Sequence, residues 1–163
     1  GRNREQKDGM DISLCIFDKQ THQIQYSGAN NPVYIIRNKN EVAENDVSKN
    51  EKIRIQNSSS DNMLIEIKPT KNPIGVYRKE KTFENHVLQV FKNDKIYLFS
   101  DGYADQFNGK TNQKFSKKRF KELLLSVSEK PMITQKQMLT NEFYNWKGNY
   151  FQLDDVLVMG IKI

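Results

Sequence analysis

The sequence predicts an α+β fold on three observations. Apolar residues in the first half recur with a period of two, two later stretches carry them at helical spacing, and the chain closes on an apolar strand. Nothing helical separates the early strands, which excludes a doubly wound parallel sheet. With 163 residues, 36% of them apolar, the chain has material for one core, or for a large piece of one domain. No internal repeat or interdomain linker divides it.

Each element has its own signal. Met10, Ile12, Leu14 and Ile16 alternate with Asp11, Ser13, Cys15 and Phe17, the pattern of a strand with one face better buried. Residues 18–21 form a turn, so that 23–27 return as a hairpin partner. Gly28-Ala29-Asn30-Asn31-Pro32 interrupts, and 33–37 are a third strand. A turn at 38–40 and a short strand at 41–44 follow. Residues 46–62, rich in Asn, Ser and Lys, are expected to be the least ordered, with a loop at 58–61. Residues 63–67 are a strand ended by Pro69, and 73–76 a tight connection. Strands at 86–91 and 95–99 are expected to pair through a hairpin turn at 92–94. Phe120, Leu123, Leu124 and Val127 give a helix over 116–129, with Ser116 as N-cap and Pro131 blocking extension. Met138, Leu139, Phe143 and Trp146 give a second helix over 134–147, stopped by Gly148. The last strand is 156–163.

Composition narrows the chemistry. Cys15 is the single cysteine, and His22 and His86 the only histidines, so an internal disulfide, a cysteine zinc site and a histidine-rich centre are excluded. Cys15 reads as a small buried side chain, and a reducing, cytoplasmic setting fits. No apolar run approaches the ~18 residues of a membrane helix. The net charge of +6 equals one acid-free cluster, Lys110, Lys114, Lys117, Lys118, Arg119 and Lys121. Only six residues are Arg, whereas base readout and bidentate phosphate contacts favour that residue. Nucleic acid is therefore not the expected partner. The cluster reads as a solvated face suited to an acidic phosphoprotein. Gly1 without a preceding Met, and the polar residues 1–7, read as tag or linker, leaving 8–163 as the domain.

Two acidic positions stand out. Ile96-Tyr97-Leu98-Phe99 is unbroken apolar sequence ending in Ser100-Asp101-Gly102, and Asp154-Asp155 immediately precede Val156-Leu157-Val158-Met159. Carboxylates at the ends of buried strands are partly desolvated and require cationic compensation. Hard oxygen donors without His or Cys select Mg²⁺ or Mn²⁺. The same residues also suit a plainer role, because Asp-Gly is a common turn and an Asp before a strand can form an Asx-turn.

The run IYLFSDGYAD (96–105) and the closing QLDDVLVMGIKI (152–163) resemble the metal-dependent protein serine/threonine phosphatases, nearest their SpoIIE-like branch of sigma-factor circuits. DGMDISLCIFD (8–18), YSGANNPVYIIR (26–37) and PIGV (73–76) resemble the same branch in the same order. The resemblance implies part of a four-layer α-β-β-α sandwich with mostly antiparallel sheets, its N-terminal strands and helices missing. It implies a binuclear Mg²⁺ or Mn²⁺ centre in the complete domain, where the ions activate water for in-line attack at phosphorus. Asp101 matches a metal-binding aspartate and Asp154 the last one. Asp155 matches the next position, and Gly102 a backbone role in a sharp turn. No catalytic nucleophile or general base is assigned. Ala29 stands where the family has His and Asn31 where it has a first Pro, so that loop receives no catalytic role. Two earlier acidic motifs of the family have no counterpart here.

The activity implied is hydrolysis of phosphoserine or phosphothreonine on a regulatory protein, anti-anti-sigma-like, with this piece inactive alone. The alternative is a phosphatase-like module that binds a phosphoprotein without hydrolysing it. Membrane association is expected only through upstream domains. Incomplete sheets imply unpaired edges and self-association, to a homodimer.

Overall fold

The structure, a computed structural model, describes residues 9–41, 52–57, 61–75 and 81–163. The elements are β1 (Gly9–Met10), β2 (Ile12–Asp18), β3 (Gln23–Ala29), β4 (Val33–Asn38), β5 (Ile53–Asn57), β6 (Asn62–Ile67), β7 (Ile74–Gly75), β8 (His86–Gln89) and β9 (Lys95–Phe99). Then come α1 (Gly102–Asp105), α2 (Lys117–Val127), α3 (Met132–Lys147) and β10 (Val158–Lys162). The main sheets have orders β10-β9-β4-β6-β5 and β2-β3-β8, and β1 pairs with β7. All strand pairs are antiparallel.

Alternation along the strands sorts side chains into two cores. Ile24, Tyr26, Val33, Ile35, Ile65 and Ile96 fill the space between the sheets. Tyr34, Ile36, Leu64, Tyr97 and Phe99 project the other way, against Phe120, Leu124, Leu139 and Phe143 of α2 and α3. The described residues thus form three layers, sheet on sheet on helices, of the sandwich that the family resemblance implies. Strand β4 is buried on both faces, as its Val-Tyr-Ile-Ile run requires. In β2 the core face is Cys15 and Phe17, while Leu14 and Ile16 face outward. Cys15 is free and half-buried, and burial pushes its thiol pKa up.

The helices follow their periodicity. Ser116 Oγ accepts the Arg119 amide at 3.3 Å and caps α2. Helix α3 starts at Met132, earlier than expected, because Pro131 serves as its extended N-cap rather than only as a stop. It ends at Gly148, whose φ of 51° lies in the left-handed region. No described helix is long and apolar enough to cross a membrane.

Two expectations are corrected. The turn at 92–94 closes no hairpin: β8 belongs to the three-stranded sheet and β9 to the five-stranded one, so the chain changes layers there. A short polar turn between two strands looks alike in both cases; burial decides. The corner is pinned by Arg37 and Asp94, paired at 2.6 Å with side-chain exposures of 2% and 0%. Asp94 also accepts the Phe91 amide at 3.0 Å, and Arg37 donates to the Gln89 carbonyl at 2.7 Å. The second correction is β5, an ordered edge strand inside 46–62. An edge strand needs little apolar sequence, and Ile53 and Ile55 alternating with Arg54 and Gln56 suffice. Residues 39–41 form a 3₁₀ turn where the sequence predicts a polar turn at 38–40, and 42–44 of the strand predicted over 41–44 lie outside the described residues. Residues 42–51 and 58–60 lie outside the described set.

Candidate metal centre

Strand β9 runs between β4 and β10 and delivers Asp101 to one end of the five-stranded sheet. Asp101 is the N-cap of α1 by position, yet its side chain makes no capping bond. Its carboxyl is pushed above the ordinary 3.8, first by burial, then by repulsion from Asp105, Asp154 and Asp11. Four carboxylates therefore share one field. Asp105 is compensated by Lys114 at 2.9 Å, and Asp11 accepts the Asn30 side-chain amide at 2.8 Å. Among the described residues, no cation pairs with Asp101.

Asp154 arrives beside Asp101 because the segment before β10 is stitched to the end of β9. The Ser100 hydroxyl donates to the Asp155 carbonyl at 2.7 Å and accepts the Leu157 amide at 2.9 Å. The Ser100 amide donates to the Leu157 carbonyl at 3.1 Å. Asp154 Oδ1 accepts the Asp155 amide at 2.7 Å, which fixes a tight turn. Both acids of the pair are exposed. Gln106, fully buried, donates to the Phe151 carbonyl at 2.9 Å and anchors the approach to that turn.

Gly102 is needed for a reason other than the expected turn. It takes a helical conformation, and a Cβ there would stand 2.4 Å from the Asp155 carbonyl oxygen. Only glycine lets the 154–155 turn lie against α1.

The structure thus brings Asp101 and Asp154 into one electrostatic neighbourhood and uses Asp155 through its main chain. Asp11, Ser100 and Gln106 went unread in the sequence, because their roles are hydrogen bonds and proximities across distant segments. The donor chemistry, carboxylate oxygen alone, fits Mg²⁺ or Mn²⁺. Among the described residues no group of three or more His, Cys, Asp or Glu forms a metal site.

Beside Asp101 opens a cleft of about 950 Å³. The Asn30-Asn31-Pro32 segment forms part of its wall, held by bonds from the Asn30 amide to the Thr70 carbonyl (3.0 Å) and from the Thr70 amide to the Gly28 carbonyl (2.9 Å).

Two facing antiparallel sheets, helices on one of them, and an acidic turn at the end of a central strand define a PP2C-like fold, here present in part. The chain belongs to the SpoIIE family: the family model for stage II sporulation protein E matches residues 2–163. The SiaA-PP2C domain of Pseudomonas aeruginosa superposes with a TM-score of 0.72 at 20% identity, over 94% of this chain and 51% of that one. The phosphatase domain of the cell-fate determinant SpoIIE from Bacillus subtilis, presoaked in Mn, gives 0.58 at 14% identity, over 94% and 56%. A second structure of that domain gives 0.56 at 16%, over 94% and 58%. The chain therefore spans about half the length of these solved structures. No curated protein matches it by sequence.

Proposed function

We propose that this chain is the metal-binding C-terminal part of a protein phosphatase that removes phosphate from serine or threonine of a regulatory protein. The observation that carries the reading is Asp101 at the end of β9, its pKa raised by burial and by the neighbouring charges of Asp105, Asp154 and Asp11. Uncompensated carboxylates at a sheet end are what a hard divalent cation neutralises. Asp101 and Asp154 would hold Mg²⁺ or Mn²⁺, with Asp155, the next position, as a further candidate ligand. The chemistry such ions supply when bound is activation of water and stabilisation of charge at phosphorus. The chain's own residues hold the geometry: Ser100 and Gln106 fix the 151–157 segment, and Gly102 lets it approach.

The substrate we propose is a phosphorylated, anti-anti-sigma-like regulator met in the cytoplasm. Hydrolysis of a phosphoserine peptide in millimolar Mn²⁺ tests the reading, with this chain compared to one extended N-terminally to the length of its structural relatives. The extended chain is expected to turn over and lose activity with Asp101→Asn; the 163-residue piece is expected to be inactive. Robust turnover by the short form, or an extended form indifferent to Mn²⁺ and to Asp101→Asn, overturns it. A second reading, phosphoprotein binding without hydrolysis, is favoured by the cationic lining of the cleft beside Asp101, which suits an anion with no metal present.

A further inference from the structure

The cleft beside Asp101 is larger than a phosphorylated side chain requires. At about 950 Å³ it lies at the top of the range for whole small-molecule sites. Among the described residues six cations line it: Lys52 and Arg54 beside and on β5, Lys68 and Lys71 around the Thr70 corner, Lys81, and Lys117 at the start of α2. Four acids also line it, Asp11, Glu66, Glu84 and Asp101. Two of those are engaged by lysines, Glu84 with Lys52 at 3.3 Å and Glu66 with Lys121 at 2.8 Å. Lys121 lies outside the lining, and among the described lining residues cations outnumber acids six to four. The excess comes from β5, the 68–71 corner, Lys81 and α2, elements separate from the acidic turn at Asp154. Of the lining acids, Asp11 and Asp101 share one end, while Glu66 and Glu84 stand among the cations, each engaged by a lysine.

We propose that this wall is the docking groove for an acidic segment of the phosphoprotein, which places the phosphorylated residue at the Asp101 end. The inference rests on the phosphatase reading for which end the phosphate occupies, and on the cleft itself for the class of partner. Five of the six cations are lysines, flexible point charges that suit several separate carboxylates. One planar, bidentate recognition event would call for arginine instead. The groove also gives Lys117 a role: of the basic cluster 110–121, it is the member that lines the site.

The test is fluorescence anisotropy of labelled peptides without metal, so that binding is read apart from turnover. One phosphoserine peptide carries Asp and Glu on both flanks, a second carries Ser and Gln, and a single-stranded oligonucleotide is the third probe. The acidic peptide is expected to bind roughly tenfold more tightly than the neutral one, with the advantage shrinking as salt is raised. Lys71→Glu/Lys81→Glu, at exposed positions, is expected to remove that advantage. Lys130→Glu/Lys162→Glu, lining a separate cleft with Lys95 at the start of β9, changes net charge equally and is expected to retain it. Circular dichroism confirms that each variant is folded, and Lys71→Gln/Lys81→Gln repeats the test without charge reversal. Equal binding of the two peptides, equal loss in both charge-reversal pairs, or tighter binding of the oligonucleotide overturns the proposal. The two readings fail separately. An inactive extended chain that still prefers acidic flanks sinks hydrolysis and keeps the groove; an active one indifferent to flanks does the reverse.

Discussion

The helix-covered face of the five-stranded sheet and the outer face of the three-stranded sheet are built from the same kind of strand and end in opposite states. On the first, Tyr34 and Phe99 meet Phe120 and are buried. On the second, Leu14, Ile16 and Val87 stay 55%, 56% and 53% exposed, and no described helix covers them. Strand β10 shows the contrast within one element. Val158 packs toward the helices, while Met159 and Ile161, opposite Leu98 and Ile96, remain exposed. An amphipathic strand specifies which side is apolar, and only a second layer makes that side a core. The chain spans about half of its structural relatives, and among the described residues the outer face of the three-stranded sheet carries no further layer.

The sharpest way to break the comparison is to truncate one apolar side chain on each face. Phe120 is fully buried, with ring centroids 5.0 Å from Phe99 and 4.8 Å from Tyr103. Phe120→Ala is expected to cost about 3–5 kcal/mol in urea unfolding. Ile16→Ala, on the uncovered face, is expected to stay within about 0.5 kcal/mol. Comparable losses at the two positions would show that the outer face is covered in solution.

Gly102→Ala comes next. The added methyl meets the Asp155 carbonyl, a backbone atom that cannot swing aside as a side chain would. The expected cost is about 1–3 kcal/mol, with the 154–155 turn pushed off α1. Because Asp154 leaves Asp101's neighbourhood with that turn, Mn²⁺ affinity by calorimetry on the N-terminally extended chain should fall further than stability does. Unchanged metal affinity in a folded Gly102→Ala protein would separate the two acids functionally.

The sequence disclosed what depends on local pattern. Period-two alternation placed β2, the hairpin turn placed β3, short apolar runs placed β4, β6 and β9, and the 3.6-residue recurrence of Phe120, Leu124 and Val127 placed α2. Asp101 and Asp154 stood out because an acid abutting an unbroken apolar strand is locally conspicuous, but spacing left a plain turn role open, and only the resemblance to the phosphatases singled them out as ligands. Pairing was not legible: the Lys92-Asn93-Asp94 turn has hairpin chemistry, and only the Arg37–Asp94 pair shows that it joins two layers. Nor was β5, whose two isoleucines carry a weak signal among polar residues, or Gln106, whose bonds span 45 residues to Phe151.

The uncovered face also predicts behaviour in solution. Leu14, Ile16 and Val87 lie on one sheet, at exposed positions of β2 and β8 with β3 between them. Light scattering over rising protein concentration should report self-association, weakened by Ile16→Lys/Val87→Lys with no loss of secondary structure. A monomer at every concentration would leave the apolar face tolerated by solvent alone.

The smallest effect sits at the edge of that same sheet. His86 opens β8, is buried, and stacks against Tyr26 with centroids 6.2 Å apart. Burial holds its imidazole below the ordinary 6.5; the Glu84 carboxylate pulls upward, and Lys52 reinforces burial. The folded state therefore binds this proton less readily than the unfolded chain. Stability from this group is complete above 6.5 and declines as pH falls through that value toward the lower folded pKa. Unfolding midpoints on either side of 6.5 should converge in His86→Gln relative to the parent chain. Because β8 is an edge strand of the thinner sheet, amide exchange should accelerate first along β8 and β3, with β4 and β9 protected. Simultaneous loss across both sheets would instead mean that the uncovered layer is held as firmly as the covered one.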